Sequence, residues 1–216
     1  VATWLHAFTV ILVPIVNVDG YHSFWYLSDQ VGRKNRRELP DATDYEQGVD
    51  LERNYPFKWG TCSGSSGITS DDTYRGPSPA SEPETQGVMA LASAQRPIIN
   101  MSYHTYSELA IQPYGCTGSY TSENRVFRDL ASDVGSHMPN DGSNGWYSAG
   151  TGWELLYAVD GEMNDWFYGQ LGSYGLTVEA NSSSQGFQPA YVTWRDSTVL
   201  RNRIGWQYLL DRLESS

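Results

Sequence analysis

The sequence is poor in cysteine, poor in positive charge and has no long apolar run. Its 216 residues include two Cys, four His, and 14 Lys plus Arg against 25 Asp plus Glu, a formal charge of −11. A field of that sign disfavours nucleic acid and anionic membrane as partners, while leaving room for a local basic cluster that binds a small anion. The most apolar stretch, FTVILVPIV, is about half the length of a membrane-spanning helix and carries a proline. No leader is visible, but the chain opens at VATWLHAFTV without a start methionine or cap. That opening reads as a mature or truncated product, so the missing leader says little.

What is present is a folding chain. Hydrophobic residues make up 39% and aromatics 13%, with eight Trp and fifteen Tyr. This is too apolar for a disordered segment and is enough for the core of one domain, 1–216. Cys62 and Cys116 both sit in Gly/Ser-rich loops. In a reducing compartment they read as free thiols; in the secreted setting that the aromatic, acidic, Gly/Ser-rich composition suggests, they read as one disulfide.

FTVILVPIVNVDGY is β-branched and ends in Asn-Val-Asp-Gly, which predicts a buried strand running into a turn. A basic loop, GRKNRRELPDATD, follows. SPASEPETQGVMALASAQ carries helix-start signals at Ser81 and Pro83 and an apolar stripe of Val88, Leu91 and Ala92. RPIINMSYH predicts a second strand, and SENRVFRDLASDVGSHM an amphipathic helix with Val126, Leu130 and Val134 four apart. SYGLTVEA is a third strand, and Leu200, Ile204 and Tyr208 give a closing helix from Thr198 onward. Apolar strands alternating with helices predict an α/β fold, a three-layer α/β/α arrangement around a mixed, largely parallel twisted sheet. Polar residues cluster just after strand ends, where such sheets place ligands. Among them is His104, in SYHTYSE. A histidine there is either a catalytic or metal-binding group or a core residue satisfied by one hydrogen bond.

Seven stretches occur in one order: NVDGY, GRKNRR, GVDLERNYPFKWG, TYRGPSPASEPET, SYHTYSELAIQPYG, LYAVDGEMNDW and GLTVEA. Together they resemble the zinc metallocarboxypeptidases of the carboxypeptidase A/B type, and the KWG…SGSSG loop is similar to secreted bacterial members. The resemblance implies an extracellular enzyme that removes the C-terminal residue of peptides or proteins. It makes His104 a zinc ligand and Glu179 the base that takes a proton from the metal-bound water. A buried glutamate ending an apolar strand otherwise reads as a salt-bridge partner. It makes Arg53 the anchor for the substrate carboxylate and Arg33 the group that polarises the scissile carbonyl. The other reading of Arg33 is a solvated basic loop, which suits Lys34, Arg36 and Arg37. Tyr157 matches the mobile residue that closes over the substrate terminus. Tyr106 matches a subsite residue or is a core aromatic. Glu162 and Asn164 match the specificity pocket, where a carboxylate favours Lys or Arg and the neighbouring aromatics and aliphatics accept apolar side chains. Glu162 otherwise sits in a surface loop and meets solvent.

Two departures stand out. The family's other zinc ligands come from an H-x-x-E motif, yet His6, His22, His104 and His137 are followed by AFT, SFW, TYS and MPN. The resemblance also begins only at FTVILVPIVNVDGY, so it covers the C-terminal two-thirds of the family's domain and lacks the N-terminal part. Glu52 stands where the family usually has asparagine; a like charge about 4 Å from the substrate carboxylate costs roughly 4 kcal/mol at an effective dielectric near 20. Glu52 therefore pairs with Arg53 or Arg33, or is protonated. Three functions are compatible with this: an exopeptidase whose missing His and Glu come from an N-terminal segment, a metal-free module that grips peptide C-termini, or a structural domain. The first two differ in whether an H-x-x-E lies upstream. A sheet lacking its N-terminal strands also exposes apolar faces and unpaired edges, so the chain by itself is expected to aggregate or to need a partner segment.

Overall fold

A computed structural model describes residues 2–27, 32–40, 42–43, 46–142 and 144–215. Asp41 and Asp44 of the expected basic loop lie outside the described residues. Four strands form one sheet: β1 (Ile99–Thr105), β2 (Leu109–Gln112), β3 (Ser148–Thr151) and β4 (Tyr174–Ala180), in the order β1-β4-β2-β3. β1 is parallel to β4 and β2 is parallel to β3, while β2 runs antiparallel to β4. The sheet is therefore mixed. The helices are α1 (Ala2–Ala7), α2 (Val18–Tyr26), α3 (Pro83–Gln95), α4 (Asn124–Gly135), α5 (Gly152–Leu155), α6 (Met163–Leu171) and α7 (Tyr191–Glu214), with one 3-10 turn, η1 (Leu51–Arg53).

Period-two alternation decides which face does chemistry. Leu176 and Val178 of β4 point to one side, where they pack with Leu130, Ala131 and Val134 of α4 and Leu209 of α7. The intervening Gly175, Thr177 and Glu179 point to the other side, in register with Asn100, Ser102 and His104 of β1. That second face is covered by α6. Its Met163, Trp166 and Phe167 pack with Tyr55 and Ala92 in a separate cluster. The three layers follow from this two-sided burial.

Several expectations shift. Residues 8–16 are not a buried strand: Val10, Ile11, Leu12, Val13 and Ile15 are all exposed, Leu12 at 81%. Among the described residues no strand lies along the free edge of β1. A β-branched run gains nothing from extended structure without a ladder partner and a covered face. The expected turn at Val18-Asp19-Gly20 instead opens α2, because the Asn17 side chain caps it by accepting from the Gly20 N–H at 2.8 Å. On α4 the buried stripe is Phe127, Leu130, Ala131 and Val134, an i, i+3, i+4, i+7 face, and Val126 is exposed. On α3, Thr85 and Ala92 are buried and Leu91 faces solvent. α7 begins at Tyr191, seven residues ahead of the expected start.

Cys62 and Cys116 are joined by a disulfide spanning 54 residues of chain, with Cα atoms 5.7 Å apart. Phe127, fully buried, holds α4 to the end of α6 and the start of β4 through Tyr168 and Tyr174, with ring centroids at 4.8 and 5.1 Å. Phe127→Ala is expected to destabilise the chain by about 3–5 kcal/mol. Urea denaturation measures this; a loss below about 1 kcal/mol would show that the aromatic layer is not packed as described.

Candidate functional site

The site is built where β1 and β4 end together. Their parallel register sets His104 beside Glu179, both on the α6 face. Facing them is the turn carrying Asp50, Glu52 and Arg53. The Asp50 carboxylate caps η1 by accepting from the Glu52 N–H at 3.2 Å. The cap brings two consecutive side chains into the site. Glu52 reaches the sheet, and Arg53, 4% exposed, turns under the loop.

Asp50 is the residue the sequence reading missed. Buried at 3% exposure, it binds Arg33 Nη2 at 2.6 Å and stands 4.0 Å from Arg53 Nη1. One carboxylate thus holds both arginines whose motifs were recognised. Arg33 also donates from Nε to the Asp72 carbonyl at 3.1 Å. Arg53 donates from Nε to the Gly64 carbonyl at 3.0 Å and from Nη1 to the Glu52 carbonyl at 2.9 Å. The available signal was an acid immediately before the L-E-R-N turn, in a position to cap it. Lys34, assigned to a solvated loop, is buried instead and donates from Nζ to the Thr69 and Asp71 carbonyls. Arg37 pairs with the buried Glu82 at 2.7 Å.

Glu52 pairs with neither arginine through its side chain. Its Oε1 lies 3.5 Å from His104 Nε2, and its Oε2 accepts from the Met163 N–H at 3.1 Å. Burial opposes its ionisation, but the His104 contact and the Met163 hydrogen bond hold its carboxyl below the ordinary value. Burial likewise works against a charged His104, yet Glu52 and Glu179 raise it above the ordinary imidazole. His104 Nε2 also shares a 2.7 Å hydrogen bond with Ser102 Oγ. Glu179 is driven upward, chiefly by burial, against the pull of His104 and Arg33. Its Oε2 is buried with no hydrogen-bond partner among the described residues.

The remaining residues divide. Tyr157 follows α5 and is 56% exposed, close enough to Arg33 that, against the pull of burial, it joins Asp50 in raising the guanidinium. Tyr106 lies edge-on to Phe187 with centroids 4.9 Å apart, among aromatics. Asn164 is buried and occupied at both ends: Oδ1 accepts from Asn100 Nδ2, and Nδ2 donates to Thr177 Oγ1. It ties α6 to β1 and β4. Glu162, at the start of α6, meets the buried Asp165, whose carboxylate accepts from the Gly115 N–H at 3.1 Å. Burial raises both acids, Asp165 to about 6; Asp165 raises Glu162 further, while the hydrogen bond with Glu162 pulls Asp165 down, so the two titrate as a pair that shares a proton.

Zinc is implied by the motifs, and the donors were tested against it. A catalytic zinc takes three protein ligands. Among the described residues no group of three His, Cys, Asp or Glu side chains converges. His104 Nε2 is already committed to Ser102 and Glu52. The described residues do not by themselves fit the metal.

The zinc carboxypeptidase family profile matches residues 1–195, and the chain belongs to that family. Among its relatives, human carboxypeptidase B2 is 32% identical over 208 residues, covering 92% of this chain and 48% of the relative. The crystal structure of thrombin activatable fibrinolysis inhibitor superposes with a TM-score of 0.82 at 27% identity, over 94% of this chain and 51% of the other. The bovine form of that inhibitor, in complex with tick carboxypeptidase inhibitor, gives 0.75 at 29% identity, over 92% and 68%. The chain spans about half the length of the curated relatives it matches.

A pH prediction comes from the acid pair. Both acids are raised on folding, so their contribution is fully present below their unfolded values near 4 and is lost as pH rises through the folded ones. Glu162→Gln keeps the hydrogen bond to Asp165 and removes one titration. Its stability relative to the parent is expected to improve from pH 4 to pH 8 in denaturation curves. A difference independent of pH would contradict the shared proton.

Proposed function

We propose that this chain forms the substrate-gripping part of an extracellular peptidase site that acts on the C-terminal residue of peptides. The observation that carries this reading is the pair of arginines held on Asp50 beside Glu179 and His104. The permanently charged Arg53 recognises the terminal carboxylate as a planar, two-oxygen acceptor. Arg33, nearer solvent, donates to the scissile carbonyl oxygen as negative charge develops there. Glu179, raised in pKa and unpartnered at Oε2 among the described residues, is the group able to take a proton from water and pass it on. Tyr157 closes over the bound terminus and Tyr106 lines the approach. The pocket next to Glu162 admits apolar side chains, and a basic one displaces the shared proton.

Two further donors must meet His104 before the family's metal has a site, so the hydrolytic activity is proposed for the protein in which they do. The second reading, a metal-free grip on peptide C-termini, is favoured by the contacts of His104. Glu52 and Ser102 both engage Nε2 of His104, so that ring nitrogen is not open to a metal. Arg53 performs the same task under both readings.

The test is binding of an N-acetylated tetrapeptide ending in phenylalanine, as free acid and as C-terminal amide, measured by calorimetry. The chain is expected to prefer the acid, and Arg53→Gln to lose about a hundredfold in affinity for it, with little change for the amide. Equal affinity of the parent for both peptides would overturn the proposed function.

A further inference from the structure

Arg53 has no side chain alone responsible for aiming it. Its Nε direction is set by a backbone acceptor, the carbonyl of Gly64, at 3.0 Å. Whatever fixes that peptide fixes the anchor. The segment that does so is residues 62–65, and its fixed point is Asp160, which is fully buried. The Asp160 carboxylate accepts from the Cys62 N–H at 2.9 Å and the Gly64 N–H at 3.1 Å through Oδ2, and from the Ser65 hydroxyl through Oδ1. Three donors from four consecutive residues converge on one side chain almost a hundred positions away.

The backbone around Asp160 is fitted to both sides of this arrangement. A Cβ on Gly64 would lie 2.5 Å from Val159 Cα and 2.6 Å from the Asp160 nitrogen, so the two strands of chain touch through a glycine. Gly161 sits at φ +71°, and a Cβ there would lie 2.5 Å from the Arg53 carbonyl oxygen. The Gly161 carbonyl in turn accepts from the Tyr55 N–H at 2.9 Å. Residues 159–161 are thus wedged between the peptide that carries Arg53 and the peptide that receives its Nε proton. They begin two residues after Tyr157, so that exposed phenol and the anchor share one support.

We infer that Asp160 is the positioning residue of the carboxylate anchor: by gathering the N–H groups of residues 62 and 64 and the Ser65 hydroxyl, it holds the Gly64 carbonyl that aims Arg53. This rests on Arg53 being the anchor. A disulfide at Cys62 and the Val159 amide, which donates to the Gly115 carbonyl at 2.9 Å, brace the same loop from outside. Neither supplies the inward hydrogen bonds that orient the Gly64 peptide. Asparagine at 160 keeps one acceptor oxygen for the Cys62 and Gly64 N–H groups and presents its N–H₂ to the Ser65 hydroxyl, which reverses to accept, so the three contacts lose the carboxylate charge that strengthens them.

The full chain and the same acid and amide tetrapeptides provide the test. Asp160→Asn is expected to cut the preference for the acid over the amide by about tenfold or more while leaving affinity for the amide in place. Ser65→Ala, which deletes one contact, is expected to cut it less, in the same direction. A purely structural role lowers the melting temperature without moving the ratio, and that result in a folded Asp160→Asn overturns the inference. Where Asp160→Asn does not fold, an unchanged ratio in Ser65→Ala overturns it. A parent chain that shows no preference for the acid brings down the reading of Arg53 itself. A parent that prefers the acid alongside an indifferent Asp160→Asn brings down this inference alone.

Discussion

Two guanidinium groups meet one buried carboxylate at Asp50, and most of the site depends on that contact. Arginine keeps its charge at any accessible pH, so a cation placed under a loop needs an anion or a set of carbonyls there. Asp50 supplies the anion and the Glu52 and Gly64 carbonyls supply the rest. Because Asp50 also caps η1, the charge balance and the local backbone turn are the same interaction. Removing the acid unpairs two charges and uncaps the turn at once. Under the proposed function, a substrate carboxylate beside Arg53 would join a cation already held in place, with little ordering left to oppose binding.

The sheet contributes the opposite chemistry. Parallel register puts His104 and Glu179 side by side at strand ends, and burial makes both charges expensive. The two respond differently. Glu52 comes to His104, and the contact lowers the acid and raises the imidazole, whereas Glu179 keeps an oxygen without a partner among the described residues and a raised pKa. Glu52 therefore does not confront the substrate carboxylate as a bare charge; its charge is spent on the histidine. Both arginines of the proposed carboxylate side have their partners among the described residues, while His104 on the proposed metal side already contacts Ser102 and Glu52.

Much of this was legible in the sequence where local signals and tertiary needs agreed. The strands over Ile99–Thr105 and Tyr174–Ala180 and the helices after Ser81 and Ser122 carry apolar patterning that the layers then bury. The motif residues Arg33, Glu52, Arg53, His104, Glu162 and Glu179 do fall in one electrostatic neighbourhood. The failures are physical. Residues 8–16 read as a strand because β-branching was counted without asking what would pair with it. The four-residue strands β2 and β3 were too short to show a period. Asp50, Asp160 and Asp165 escaped because a buried acid is recognised by the backbone N–H groups and cations it gathers, and those come from distant parts of the chain. Lys34 escaped for the same reason, its partners being carbonyls.

The central claim is that this chain carries a finished carboxylate grip and an unfinished metal site. Equilibrium dialysis against zinc at pH 7, with metal read by atomic emission, tests it most directly. The account predicts no stoichiometric zinc retained by the chain at free metal near 1 µM, a level well above the dissociation constants implied for three- or four-donor protein sites. One zinc per chain that is lost in His104→Ala would contradict it, and would mean that donors outside the geometry described here complete the site.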